Sequence, residues 1–434
     1  MINRIFKSKA KIAVLFALTI VLLSSTCWAA TYYIDPTAGE GGVGSQADPF
    51  NSWHDVTWAA GNSYLQKRGT TFRDGFTVTA SGTSGAHITL GAYGSGPRPI
   101  IFSTNDQHTI YVYQRSYIDI KDLHIKNTYN STGKTQGNGI STGWHDSKSS
   151  HITIDNCEVG PTNATGILLY GVHNAIIRNS LLHDAGTGIN PAYKSSDDNI
   201  HLENCHDYLI EYNESYYSAV GSEIDTSDSG SGYSTGVVRY NIVHNSGPGA
   251  ALIKLSGHHP NSRADIYYNV VYDGGECIGF QEQLSGTVSN NTIYDCTTRG
   301  IAVATQNQEP NGDVVIKNNV IANIGPSGLS WPAAAIGFSD NLSPVEMDNN
   351  LYYGLNGDSL AARVNGKNYA TVASIAAGTA FEDNGIEADP KFTNTATKDF
   401  SLQASSPAID RGADVSSAVS SEDIAGTPNQ QGGL

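Results

Sequence analysis

Short apolar stretches, each broken by one polar residue, recur along the middle of this 434-residue chain. They read IKDLHIKN, TIDNCEVG, IIRNSLLHD, IEYNESYYS, VRYNIVHNS, IYYNVVYDG, VSNNTIYDC, IKNNVIANI and MDNNLYYG. Aligned on the polar residue they place Asp122, Asn156, Asn179, Asn213, Asn241, Asn269, Asn291, Asn319 and Asn350 in one column, spaced by 22 to 34 residues. The flanking residues are β-branched or aromatic and alternate, with no 3.6 period, so the repeating unit is made of strands. A repeat with a minimum near 22 residues and variable insertions predicts a solenoid whose loops differ in length. Stacking such units buries a continuous core, and the amides of the column are expected to form a ladder. A second apolar run follows each polar residue: GISTGW, GILLYG, GINPAY, SEIDTS, ALIKLS, CIGFQE and GIAVAT. Ile140, Ile167, Ile189, Ile224, Leu252 or Ile253, Ile278 or Phe280, and Ile301 are expected to point inward there, and their neighbours outward. The strict short period of a left-handed hexapeptide helix is missing, so the fold expected is an all-β, right-handed parallel β-helix.

The ends depart from the repeat. The first 30 residues carry a basic start (Arg4, Lys7, Lys9, Lys11), an apolar run from Ile12 to Leu23, and small residues before Ala29 and Ala30. This is read as a secretory signal cut near Ala29 or Ala30, too short in its apolar part to anchor the chain in a membrane. Residues 31–370 are assigned to the β-helix with a Gly-rich N-terminal cap. Residues 371–434 lack the ladder and are assigned as a C-terminal capping segment.

Charge narrows the partners. The net charge of −16 argues against nucleic acid. It also works against an anionic substrate unless a cation or a local basic groove intervenes. The cysteines left after cleavage are Cys157, Cys205, Cys277 and Cys296. Cys277 and Cys296 are close enough in sequence to pair in an oxidising compartment, with buried free thiols the equal alternative.

The segment GSEIDTSDSG, residues 221–230, gathers Glu223, Asp225 and Asp228 without a Lys or Arg. With Ile224 inward, Glu223 and Asp225 are expected on one outer surface. Asn190, beside Ile189, is expected one coil below, Lys254 one coil above, and Gln281 and Glu282 on the next. Asn190, Glu223 and Asp225 are hard oxygen ligands suited to Ca²⁺, which would offset their repulsion and bind a uronate carboxylate. Lys254, with a depressed pKa, is the candidate base for removing the C5 proton of a uronic acid before the C4 oxygen leaves. His258 and His259 on a flanking loop are candidate acid or base. Gln281, Glu282 and Arg299 are candidate substrate contacts. The Tyr-rich runs EYNESYY, DIYYNVVY and YYG read either as sugar platforms or as half-buried sheet packing.

The stretches TYYIDPTAGEG…ADPFNSW, SGTSGAHITLGAYGSGPRPII and DPKF…FSLQASSPAIDRG resemble bacterial secreted right-handed β-helix proteins, many of them polysaccharide lyases. The site is similar to that of the β-helix alginate and chondroitin lyases. Those carry an Asn one coil before an acidic pair and a basic residue one coil later, here matched by Asn190, Glu223, Asp225 and Lys254. The chain departs from them in TSDSGSG, where the family carries its Lys shortly after the pair. The resemblance implies a secreted, monomeric lyase acting on a uronic-acid polysaccharide. Two other functions fit the same scaffold: an inverting glycoside hydrolase using Asp225 with Glu223 or Glu282, and a non-catalytic carbohydrate-binding surface protein.

Overall fold

Each circuit of the chain lays down three short strands and then climbs one rung. A computed structural model describes residues 29–129, 137–143, 148–186, 197–229, 232–246, 250–282, 284–304, 312–326, 332–339, 342 and 344–415. The segment read as a secretory signal lies outside them, apart from its last two residues. Among the described residues no helix is long and apolar enough to cross a membrane.

The first ladder is a 12-stranded sheet running from Thr31–Ile34 to Glu346–Asp348. The other two ladders form one 22-stranded assembly, fused where Val270–Glu282 and Thr292–Ala304 each run through both. Pairing from rung to rung is parallel, as in Ser150–Asp155 on His173–Arg178 and Ile167–Tyr170 on Ile200–Glu203. Among the described residues the antiparallel strand pairs are Leu360–Val364 with Lys367–Tyr369 and Phe392–Asn394 with Asp399–Leu402, and Thr83 and Ala86 form an isolated antiparallel bridge. The architecture is a parallel β-helix.

One inward column shows how the core is built. Phe76, Ile110, Ile140, Ile167, Ile200, Ile224, Ile253, Ile278, Ile301, Ile336 and Ala362 lie directly above one another, all buried. The rung between Ile167 and Ile224 is supplied by Ile200–Glu203, and Ile189 lies outside the described residues. Ile253 takes the column while Leu252 is buried beside it, and Ile278 and Phe280 both face inward.

The Asn ladder exists, but its lower rungs are shifted by one residue. Asn213, Asn241, Asn269, Asn291 and Asn319 each donate from Nδ2 to the Oδ1 of the next amide, at 2.9–3.0 Å, ending on Asn350. Each Oδ1 also accepts the backbone N–H of the Asn below. Below Asn213 the ladder positions are Ser180 and Cys157, not Asn179 and Asn156. Asp122, Asn156 and Asn179 instead occupy the preceding left-handed position, with φ near +50 to +60°, shared with Tyr212, Tyr240, Tyr268, Asn290, Asn318 and Asn349. Asn tolerates left-handed backbone, so it serves either column and its presence alone does not say which.

Glu382 closes the ladder. Its carboxyl accepts from Asn350 Nδ2 at 2.7 Å and from Tyr352 Oη at 2.6 Å, and burial pushes it up to about 7. The folded chain therefore holds this proton more tightly than the unfolded chain. Stability is expected to fall as pH rises from about 4.5 through about 7, by roughly 3 kcal/mol, and to level off above. Glu382→Gln is expected to flatten that decline in urea titrations taken at several pH values. An unchanged slope would remove Glu382 as its source.

The C-terminal region adds one short parallel strand, Ile386–Glu387 on Leu351–Leu355, and otherwise packs on the stack. A helix, Val372–Gly378, buries Val372 and Ile375. The hairpin Phe392–Asn394 with Asp399–Leu402 lays Phe392 and Phe400 against Tyr294, and Phe400 against Tyr272. Lys398 reaches Asp273 at 2.7 Å. A disulfide joins Cys277 to Cys296. Cys157 and Cys205 are free and buried, which pushes both thiols up to about 12.

Candidate active site

The outer face of the third ladder carries a column of charged residues. His201, Asp225 and Lys254 stand directly above one another, followed by Gly279, Ala302, Gly337 and Arg363. Lys254 does lie on the same wall as Asp225, and its Nζ is 2.8 Å from Asp225 Oδ2. The sequence reading gave Lys254 a depressed pKa; the structure reverses this. Burial disfavours its charge, but Asp225 outweighs burial and raises it.

Glu223 does not share that wall. The strand begins at Ile224, so alternation does not extend back to residue 223. The buried Glu223 carboxyl turns to the Ser218 N–H at 2.9 Å and to Asn199 Nδ2 and Ser215 Oγ. Burial pushes it up to about 8. Asp228 accepts the His258 N–H at 2.7 Å and the Ser262 hydroxyl, which fixes the loop after the Lys254 strand. The three acids of GSEIDTSD are thus dispersed to three separate partners and do not gather around one ion. His258 and His259 belong to the Asp228 loop. They lie four and five residues from Lys254, just past the end of its strand at Gly257, at most about 13 and 17 Å along the chain. Glu282 is 3 % exposed, so it is no outward substrate contact. Gln281 and Arg299 are half-exposed.

Asn190 lies outside the described residues; with Ile200 in the place expected for Ile189, the next position, opposite Asp225, is held by His201, and Asn199 precedes it and donates to Glu223. The rung that was missed, Asp197-Asp198-Asn199-Ile200-His201-Leu202-Glu203, brings most of the additional chemistry. His201 Nδ1 is 2.8 Å from Asp198 Oδ2. Burial opposes the imidazolium, yet Asp198 and Glu203 hold it and raise it to about 10. Burial and the neighbouring Asp225 push Asp198 up to about 6. Ligand atoms of Asp198, His201 and Asp225 lie within 4.8 Å of one another. Asp225 Oδ1 is buried with no hydrogen-bond partner, the kind of oxygen a cation satisfies. These acidic groups fit a cation in exchange for the His201 proton.

A second missed residue is Glu276. It sits at the corner, where the register shifts between Gly274 and Glu276. Its side chain curls over the face: a Cβ on Gly279 would lie 2.5 Å from Glu276 Oε1. Arg299, on the rung above, covers Gly337 in the same way, at 2.6 Å from Nε. The glycines make room for both side chains. Burial pushes Glu276 up to about 7, against the pull of Arg299 and Lys254, which suits proton transfer near neutral pH. An acidic residue facing an Arg across adjacent rungs was a readable signal once the register was known.

The tyrosine runs form stacks. Tyr212 lies 4.8 Å from Tyr240, and Tyr240 lies 5.5 Å from Tyr268, with rings nearly parallel. Tyr240, in the middle, is buried between them, while Tyr212 at the end of the stack stays 40% exposed. A different aromatic cavity lies at the low end of the charged column, lined by Trp53, His54, Trp58, Phe76, Asp106 and Tyr111. Tyr111 occupies the same outer column, below Ser141, Leu168 and His201.

The family described as right handed beta helix region matches residues 108–264 and 190–374. No curated protein matches the chain by sequence. Among solved structures, a pectate lyase, Pel9A, superposes with a TM-score of 0.55 at 16% identity, over 92% of this chain and 96% of that one. A GH136 lacto-N-biosidase from Eubacterium ramulus gives 0.52 at 14% identity, over 82% and 68%. XylC in complex with xylose gives 0.51 at 11%, over 84% and 87%. At these identities the likeness is one of fold.

Proposed function

The chain belongs to the right-handed β-helix family, and from that premise we propose that it is a secreted lyase cleaving a uronic-acid polysaccharide by β-elimination. The observation that carries this reading is the placement of Glu276 among cations, with Lys254 and Arg299 both acting on its carboxyl. Lys254 and Arg299 supply the positive charge that an acidic sugar chain needs on an acidic protein, and they neutralise the uronate carboxylate. That neutralisation acidifies the C5 proton. Glu276, ionised above about pH 7, takes the C5 proton, the C4–C5 double bond forms as the C4–O bond breaks, and the departing oxygen takes a proton from water. This reading transfers the role of base from Lys254 to Glu276, because the Asp225 pair keeps Lys254 protonated. A Ca²⁺ ion held by Asp198 and Asp225 would add a further positive charge for substrate carboxylates. The polymer runs along the column, with Tyr111 about 24 Å from Lys254, counting five rungs of about 4.8 Å.

Hydrolysis is the competing reading, favoured by one observation: Glu276 is raised to about 7 while Asp225 is ion-paired with Lys254, the split expected of an acid and a base. Incubating the protein with a panel of uronate and neutral polysaccharides separates the two. Ultraviolet absorbance of an unsaturated product supports elimination. New reducing ends without absorbance would sink it.

Lys254→Gln is expected to raise KM for a uronate polymer and lower kcat/KM about 10–100-fold, as a lost charge-assisted contact of about 1.5–3 kcal/mol implies. Steady-state kinetics on matched neutral and acidic polymers checks this. An equal loss on both would deny Lys254 a role in reading charge.

A further inference from the structure

We propose that His124, Glu158 and His183 form a site for a transition-metal ion of the Zn²⁺ class, on the second ladder and separate from the charged column of the third. The residues come from three consecutive rungs, His124–Asn127, Glu158–Thr162 and Leu181–His183. All three are half-buried, and one ligand atom from each lies within 4.8 Å of the others.

Distances between the donor atoms point to an ion between them. His124 Nε2 is 3.4 Å and His183 Nε2 is 3.6 Å from the same oxygen, Glu158 Oε1. Both are longer than an N–H···O hydrogen bond of about 2.7–3.2 Å. They match the roughly 3.3–3.4 Å edge of a tetrahedron with metal–ligand bonds of about 2.0–2.1 Å. His183 is already oriented as a ligand. Its Nδ1 lies 2.7 Å from Asp184 Oδ2, so Nδ1–H donates to the carboxylate and the lone pair of Nε2 faces Glu158. Tyr216 stacks on the ring at 5.5 Å and 12°, fixing its plane. This carboxylate–histidine support is the usual outer partner of a metal-bound imidazole. Without a cation or proton, two electron-rich atoms face each other across 3.6 Å.

The surroundings complete the site. Arg98 Nη1 lies 3.8 Å from the other oxygen, Glu158 Oε2, which leaves Oε1 for the ion. Gly160 O accepts from His124 Nε2 at 2.9 Å. Metal binding exchanges that hydrogen bond for a metal–nitrogen bond and leaves the carbonyl or a water for the fourth position. A side chain at Gly160 would collide with His183 O. Two imidazoles and a carboxylate suit Zn²⁺ or Co²⁺ better than Ca²⁺, which prefers oxygen ligands. The ion would tie three rungs together and stabilise the stack through preferential binding to the folded state.

The test uses the full chain without a histidine tag, stripped with chelator and titrated with ZnCl₂ by calorimetry and with CoCl₂ by visible absorption. A single equivalent is expected to bind in the micromolar range or tighter, with the intense absorption of tetrahedral Co²⁺ and a raised Tm. His183→Ala and His124→Ala are expected to weaken binding at least about 100-fold, and Asp184→Asn about 10–100-fold, as for other outer-shell partners. Asp184→Asn keeps all three ligands and serves if the histidine variants do not fold. Lys254→Gln is expected to leave Zn²⁺ affinity unchanged. No saturable binding by the parent, or full affinity retained in Asp184→Asn and in the folded histidine variants, would overturn the proposal.

Discussion

Replacing Glu276 by glutamine is expected to lower kcat about 10²–10⁴-fold, the range of a lost general base, with the fold retained. Glutamine fills the same space over Gly279 and removes only the titrating oxygen. With ionised Glu276 as the proposed base, kcat/KM is expected to rise as pH increases through about 7, and this limb should vanish in the variant. A Lys254 base would instead raise the rate into the alkaline range, since Asp225 lifts that ammonium. A hydrolase using Glu276 as acid would lose activity as pH rises through the same region. The direction and position of the limb, measured on one polymer, therefore separate three mechanisms, and a parent-like rate in Glu276→Gln would exclude Glu276 as base or acid.

Asn269→Ala is expected to destabilise the protein by on the order of 3 kcal/mol. Asn269 Oδ1 accepts both the backbone N–H and Nδ2 of Asn241, while its own Nδ2 donates to Asn291 Oδ1 and to Val238 O. Truncation strands the buried Asn241 N–H, which costs about 1–3 kcal/mol, and opens a gap in the core. The neighbouring Asn290→Ala serves as the control. Asn290 has φ +55° and sits in the outer left-handed column, so its loss is expected to cost only the roughly 1–2 kcal/mol of placing alanine there. Urea denaturation of the two variants measures the difference. Equal losses would mean that the amide ladder adds nothing beyond backbone conformation.

The repeat was legible because a stacked coil copies one environment many times, so alternation around Ile224, Ile253 and Ile301 sufficed to place the core. Register was legible where one Asn per rung had to be buried, as at Asn241 and Asn269. It slipped at Asn156 and Asn179, where a single Asn precedes Cys157 and Ser180 and the left-handed position took the amide. Side-chain direction was legible where strand alternation governs it: Asp225 and Lys254 do face each other. It failed at corners. Glu223 lies before its strand begins and turns in, whereas Glu276 lies at a register shift and turns out. The Ile200–Glu203 rung was passed over because GINPAY carries a similar apolar start, so His201 and Asp198 went unseen.

Contacts in a stacked coil are mostly with the rung before and the rung after, which lets folding start locally and propagate from rung to rung. The C-terminal segment breaks that locality. Lys398 closes on Asp273 across 125 residues, and Ala413 exchanges two hydrogen bonds with Asn318 across 95. These fastenings cannot form until long after the rungs they grip have been translated. Until they form, the Tyr272–Tyr294 flank stands uncovered, open to chaperones, proteases or other copies of the chain.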